Sequence, residues 1–222
     1  MPEPLPMLSV SRSEKDSRVY VGLTGLLGAG KDTVGKLIAG LARAHKVHVR
    51  CYNLSDEIRD ELIRRGQVRG GASRSTLIAV GNELRATFGG GVLAERIIAK
   101  ERVHISENGG PDLVIAAGIR NPEEVRTFRN EWGNPFTFIM VAVESFPEVR
   151  AIRLAARSQY REDAILSSEV EQADQAIGID VCAQMSDWHI RNDGGVEQLQ
   201  ADVHDFFARR IAPVLGIAIP NT

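Results

Sequence analysis

Val19-Tyr20-Val21-Gly22-Leu23 is a short apolar, β-branched run that stops at a glycine-rich turn, the pattern of a buried strand. A helix is predicted next, because Val34, Leu37, Ile38 and Leu41 recur at i, i+3, i+4 and i+7 and form one stripe. Residues 47–52 alternate as a second strand. Ser55 offers an N-cap oxygen to a following element whose buried stripe is Ile58, Leu62 and Ile63. The glycines and arginines of 66–74 predict an exposed loop. Helices are predicted from about 75 to 88, ended by Gly89-Gly90-Gly91, and over 92–103.

Residues 112–117 read as the next strand. Asn121-Pro122-Glu123-Glu124 opens a helix with proline in its first turn and acid at its positive end, and Val125, Phe128 and Trp132 form its apolar side. The nearly all-apolar stretch 136–143 suits a central parallel strand covered on both faces. A helix over about 147–157, a charge-rich region to 175, a short strand Trp188-His189-Ile190 and a helix carrying Val196, Leu199, Val203, Phe206 and Phe207 complete the pattern. Strands alternating with helices at this spacing predict right-handed crossovers and a three-layer, doubly wound α/β sheet.

Composition changes this picture little. The 222 residues are 43% apolar and 25% charged, which suits one globular unit and excludes disorder as the dominant state. A formal charge of −2 leaves no overall basic field for general nucleic-acid binding. No apolar run approaches the roughly 20 residues that a bilayer span requires. Residues 1–17 read as a loose leader without the layout of a secretory signal, and 211–222 as a proline-containing tail around a domain over 18–210. Cys51 and Cys182 are far apart, so no disulfide framework is expected, and a cytoplasmic location is the default. His45 and His48 lack further donors for a zinc site.

The chemistry concentrates in Gly25-Leu26-Leu27-Gly28-Ala29-Gly30-Lys31-Asp32-Thr33, between the first strand and the first helix. This is the strand, Gly-x4-Gly-Lys, helix arrangement of a phosphate-binding loop. Glycines let successive N–H groups turn inward around a polyphosphate, and the helix N-terminus adds partial positive charge. Lys31 is placed to reach the terminal phosphates. The hydroxyl residue that usually follows the lysine and binds Mg²⁺ is replaced by Asp32, with Thr33 next. Either Asp32 holds the cation directly or through water, or it caps the helix and Thr33 takes the metal or phosphate role.

Gly-Ala-Gly-Lys-Asp-Thr resembles the loop of phage-type deoxynucleoside monophosphate kinases, and its Gly-Lys-Asp variant also occurs in animal phosphomevalonate kinases. The layout from Val19 to about Phe207 is similar to the P-loop nucleoside monophosphate kinase and dephospho-coenzyme A kinase superfamily. Leu54-Ser55-Asp56-Glu57-Ile58-Arg59, Gly81-Asn82-Glu83-Leu84-Arg85, Gly118-Ile119-Arg120-Asn121-Pro122-Glu123-Glu124-Val125 and Asn192-Asp193-Gly194 also resemble the kinase-like domains fused to some deoxycytidylate deaminases. No His-x-Glu with a later Pro-Cys-x-x-Cys is present, so deaminase zinc chemistry is absent.

The resemblance implies an ATP- and Mg²⁺-dependent kinase acting on a small nucleotide-like acceptor. Gly25, Gly28, Ala29, Gly30, Lys31, Asp32 and Thr33 would bind the donor, with Asn192 near its base. It implies that Asp56 and Arg59 face the acceptor, and that Arg85 and Arg120 bind its phosphate, a role a guanidinium fork suits. Arg120 also lies just past a strand's carboxyl end, where ligands enter open α/β sheets. Arg153, Arg157 and Arg161 recur at i, i+4 and i+8; the resemblance makes them part of a lid over about 150–176, while a salt-bridged exposed helix is the plainer alternative.

Ala116-Ala117-Gly118 departs from the resembling proteins, many of which carry an acid there. Two further readings therefore stand beside the monophosphate kinase: a hydroxyl kinase similar to dephospho-coenzyme A kinase with Asp56 as base, and a nucleotide sensor that does not transfer. An exposed helix stripe could also serve a homo-oligomer.

Overall fold

A computed structural model describes residues 18–67, 72–110, 112–133, 137–156 and 163–219. Strands β1 (Val19–Thr24), β2 (Val49–Asn53), β3 (Leu113–Ile119), β4 (Thr137–Glu144) and β5 (Trp188–Arg191) form one sheet in the order β2-β3-β1-β4-β5. All four pairings are parallel. Helices α1 (Lys31–Ala44), α2 (Leu54–Arg64), α3 (Arg74–Phe88), α4 (Val92–Asn108), α5 (Pro122–Trp132), α6 (Pro147–Ala155), α7 (Asp163–Ala176), α8 (Ile179–Gln184) and α9 (Val196–Phe206) surround it. The expected three-layer α/β architecture is thus the one observed.

Alternation along the strands sorts two cores. Val19, Val21 and Leu23 of β1 face Val34 and Ile38 of α1 and Leu199, Val203 and Phe206 of α9. Tyr20 faces the other way, into the layer built from α2 to α5, where it stacks on Trp132 at 4.5 Å and Trp132 stacks on Phe128 at 4.4 Å. With helices on both sides, β1 and β4 are apolar almost throughout.

Several local expectations need correction. Asn53, not Ser55, caps α2, because β2 runs straight into the helix and its last side chain accepts from the Ser55 N–H at 3.0 Å. Ile63 and Val196 belong to predicted apolar stripes but are exposed, Ile63 because it lies one step round α2 from the buried Leu62, and Val196 because it is the first residue of α9. The chain beyond α9 makes a π-helical turn, Phe207–Ile211, and Ile211 and Ala212 are buried in the first core. Val214, Leu215, Ile217 and Ile219 pack against the same core, so residues 211–219 of the expected tail are part of the fold, and 220–222 lie outside the described residues. Helix α8 had no counterpart in the sequence pattern; at six residues it is too short to show a period.

Capping explains the sharpest boundary. Asn121 accepts from the Glu123 N–H, and Glu124 reaches back to the Asn121 N–H, a reciprocal box with Pro122 at the first helical position. Phe128→Ala removes a fully buried ring from the aromatic stack and is expected to destabilise the protein by about 3–5 kcal/mol in denaturant melts. A loss below about 1 kcal/mol would contradict this packing.

Candidate functional site

The loop from Gly25 to Gly30 follows β1 at the carboxyl edge of the sheet, flanked by the ends of β3 and β4. Its glycines are needed for contact as much as for conformation. A Cβ on Gly25 (φ +141) would lie 2.2 Å from the Val143 carbonyl oxygen, and one on Gly30 (φ +100) 2.2 Å from Asn192 Nδ2. A Cβ on Gly28 (φ +81) would meet the Arg150 carbonyl oxygen less severely, at 3.1 Å. The loop is therefore pressed against β4, α6 and the turn after β5.

Lys31 is the first residue of α1, and its ammonium donates to the carbonyl oxygens of Gly25 at 2.5 Å and Leu26 at 3.1 Å. Burial of the ammonium, reinforced by Arg120 and only partly offset by Asp174 and Asp32, lowers its pKa from the usual lysine value to about 7. Burial in the cradle thus disfavours the charged form of Lys31. Asp32 and Thr33 are exposed at the start of α1.

In front of the loop lies a cleft of about 200 Å³. Lys31, Asp32, Arg59, Arg74, Arg85 and Arg120 line it together with Asn53, Ser55, Asn82, Asp174 and apolar side chains of α2, α3 and α7. Of the residues expected at the site, Lys31, Asp32, Arg59, Arg85 and Arg120 line this cleft. Arg120 follows β3, at a strand end where Gly118 (φ +88) interrupts the register between β1 and β3. Thr24 Oγ1 ties the same point by donating to the Ile119 carbonyl at 2.8 Å.

Glu124, fully buried, accepts from the backbone N–H groups of Arg120 and Asn121 and from Arg85 Nε and Nη2 at 3.1 and 2.8 Å. One carboxylate therefore sets both the β3–α5 turn and the Arg85 guanidinium. Arg59 Nη1 donates to Ser55 Oγ and Asp56 Oδ1.

Other expected residues stand elsewhere. Asp56 is exposed, pairs with Arg59 and is not among the cleft-lining side chains. Arg153 turns away from the cleft and donates to the Asn192 carbonyl at 2.8 Å and its Oδ1 at 3.1 Å. Asn192 in turn donates through Nδ2 to the Ala29 carbonyl at 2.8 Å and is itself buried. Arg153 and Asn192 thus brace the glycine loop from behind. Arg157 and Arg161 lie outside the described residues; α6 ends at Ala155. Arg74 and Asp174 were not singled out as site residues by sequence reasoning. The strand-to-helix spacing that marks Arg120 does not exist for them, because each sits on a helix folded back over the cleft.

At the end of β3, Ala116 is buried and pairs in register with Tyr52, and Ala117 with Asn53. The chain itself therefore supplies no carboxylate at positions 116–118; the acids that reach this strand end are Glu124, bonded to the Arg120 N–H, and Asp174, beside the Arg120 side chain. Asp112 precedes β3 at its other end and accepts from the His48 N–H. His45 stacks on Phe207, and Cys51 and Cys182 are free thiols. No helix among the described residues is long and apolar enough to cross a membrane.

A protein of Methanothermobacter thermautotrophicus described as a UPF0200 protein is 31% identical over 185 residues, covering 82% of this chain and 85% of the relative. The chain belongs to the UPF0200 family. A second UPF0200 protein, from Pyrococcus horikoshii, is 27% identical over 183 residues, covering 82% of this chain and 91% of its own. No family model matches the chain. Among solved structures, shikimate kinase from Acinetobacter baumannii in complex with shikimate superposes with a TM-score of 0.52 at 16% identity, covering 86% of this chain and 94% of that one. TT1252 from Thermus thermophilus gives 0.50 at 20% identity, covering 87% and 98%. At these identities the likeness shows the fold: this UPF0200 protein has the three-layer α/β fold of P-loop kinases.

Gly30→Ala forces a Cβ into Asn192 at a left-handed backbone position and is expected to destabilise the protein by about 1–3 kcal/mol in thermal or denaturant unfolding. Gly40→Ala, in α1 with nothing within 4 Å of the added carbon, is expected to be neutral or stabilising by up to about 1 kcal/mol. Equal effects from the two substitutions would show that the loop is not packed as described.

Proposed function

We propose that this UPF0200 protein is an ATP- and Mg²⁺-dependent phosphotransferase that moves the γ-phosphoryl group to the phosphate of a small nucleotide-like acceptor, a ribo- or deoxyribonucleoside monophosphate. The single observation that carries the reading is that the glycine cradle and Lys31 open directly into a cleft lined by Arg59, Arg74, Arg85 and Arg120. One polyphosphate site and one cluster of guanidinium groups share one enclosed space, the arrangement that transfer between two phosphates requires.

In this reading, the loop amides and the N-terminus of α1 hold the donor's phosphates, and Lys31 leaves the Gly25 and Leu26 carbonyls to meet the charge redistributed during transfer. Asp32, facing the cleft, and Thr33 behind it offer the oxygen donors that a hard cation prefers. Among the described residues no group of three acidic, histidine or cysteine side chains forms a ready cage, so the remaining ligands would be phosphates and water. Magnesium, when bound, would supply positive charge that offsets part of the charge of the phosphates. Arg120 and Arg85 anchor the acceptor, Arg59 and Arg74 close its far side, and α7, which lines the cleft through Val170, Ala173 and Asp174, acts as the lid.

A phosphate acceptor is already ionised near neutral pH and needs no strong base. That favours it over a hydroxyl acceptor, since Asp56, the base a hydroxyl kinase would use, is exposed and engaged with Arg59. The alternative of a nucleotide sensor that does not transfer is favoured by one specific feature, the absence of a carboxylate at Ala116-Ala117. Incubation with ATP, Mg²⁺ and a panel of nucleoside monophosphates is expected to give a diphosphate product, reduced by about 10²-fold or more in Lys31→Ala. Tight nucleotide binding without turnover for any acceptor would establish the sensor; no binding at all would overturn both.

A further inference from the structure

The arginines of the cleft are not held alike. Arg85 makes two hydrogen bonds to the fully buried Glu124, a carboxylate whose other oxygen is occupied by backbone N–H groups. Arg120 faces a different partner. Asp174, in the last turn of α7, places Oδ1 2.9 Å from Arg120 Nε, with the two side chains only 5% and 19% exposed. Close as they are, the groups are not aligned. Arg120 Nε and Asp174 Oδ2 are both buried without a hydrogen-bond partner.

A buried ion pair repays its desolvation only when geometry is good and the remaining lone pairs and protons are satisfied. This pair meets neither condition. It is a contact of opposite charges held together by the fold of α7 over the cleft, and it is cheap to exchange. Lys31, Arg59, Arg74 and Arg85 line the same space, whereas Asp32 is the other carboxylate there.

We propose that Asp174 is a specificity-determining counter-ion of the acceptor site, which only a dianionic phosphate monoester displaces from Arg120. The inference rests on reading the cleft as an acceptor site. A monoanion that replaces Asp174 exchanges one negative charge for another and gains nothing. A phosphate monoester brings a second charge and three oxygens, enough to align with the guanidinium fork and to engage the neighbouring cations. Asp174 thus sets a threshold of charge for entry, and α7, which carries it, is released when the threshold is met.

The test compares monomethyl phosphate, a dianion, with dimethyl phosphate, a monoanion, by chemical-shift titration of the whole protein. Wild type is expected to favour the dianion. Asp174→Asn is expected to bind both ligands more tightly, by about three- to tenfold with the larger gain for the monoanion, so that discrimination narrows, while Asp174→Glu keeps it. In an Arg120→Ala background the Asp174→Asn gain is expected to vanish. Weaker or unchanged binding in Asp174→Asn, or a gain that survives in Arg120→Ala, would overturn the proposal. Calorimetry with MgATP on the same proteins reports the phosphotransferase reading separately. Failure to bind nucleotide with the Asp174 effect intact overturns that reading alone, and nucleotide binding without the Asp174 effect overturns this one alone.

Discussion

The glycine loop works only because backbone lies against backbone at its rear. Asn192 fills the space where a side chain at position 30 would stand, donates to the Ala29 carbonyl and is itself gripped by Arg153. Val143 closes in behind Gly25 in the same way. A loop this tightly backed has little freedom to move, and the Ala29 N–H donates back to the Leu26 carbonyl at 3.2 Å within it. The central position of β1, with β3 and β4 on its two sides, supplies the rigid base from which the loop springs.

From that constraint the division of labour among the charged residues follows. Side chains behind the loop serve its shape: Arg150 is paired with Glu171, and Arg153 with Asn192. Side chains in front of it face the cleft. Glu124 joins two parts of the cleft wall, since one carboxylate fixes the backbone at Arg120 and the side chain of Arg85. Arginine is therefore used in two ways within a short distance, as a strut behind the loop and as a lining of the cleft, where Arg59, Arg85 and Arg120 each also meet an acidic side chain.

Much of this was legible in the order of residues. Val19 to Lys31 reads as strand, loop and helix because the apolar period changes from the strand pattern to the helical one across glycines whose left-handed angles no other residue adopts easily. Asn121 to Glu124 announces a helix start by chemistry internal to four residues, and the structure places it there. Arg120 was legible because the end of a parallel strand is a fixed address in such sheets. Asp56 and Arg153 show the limit. Both have the residue type and spacing of site residues, yet the side chain of one turns to a neighbouring arginine and that of the other to the loop after β5.

What the order of residues determined by itself was local: the periods, the caps, the glycine loop and hence the fold class, each settled by interactions within a few positions of chain. What the tertiary structure decided was which distant charges meet. Glu124 with Arg85, Asp174 with Arg120, and Asn192 with Ala29 are pairs whose partners lie far apart in sequence. No periodicity encodes such a meeting, because it depends on how whole helices settle against the sheet, and that is governed by packing of the two cores and not by any spacing along the chain.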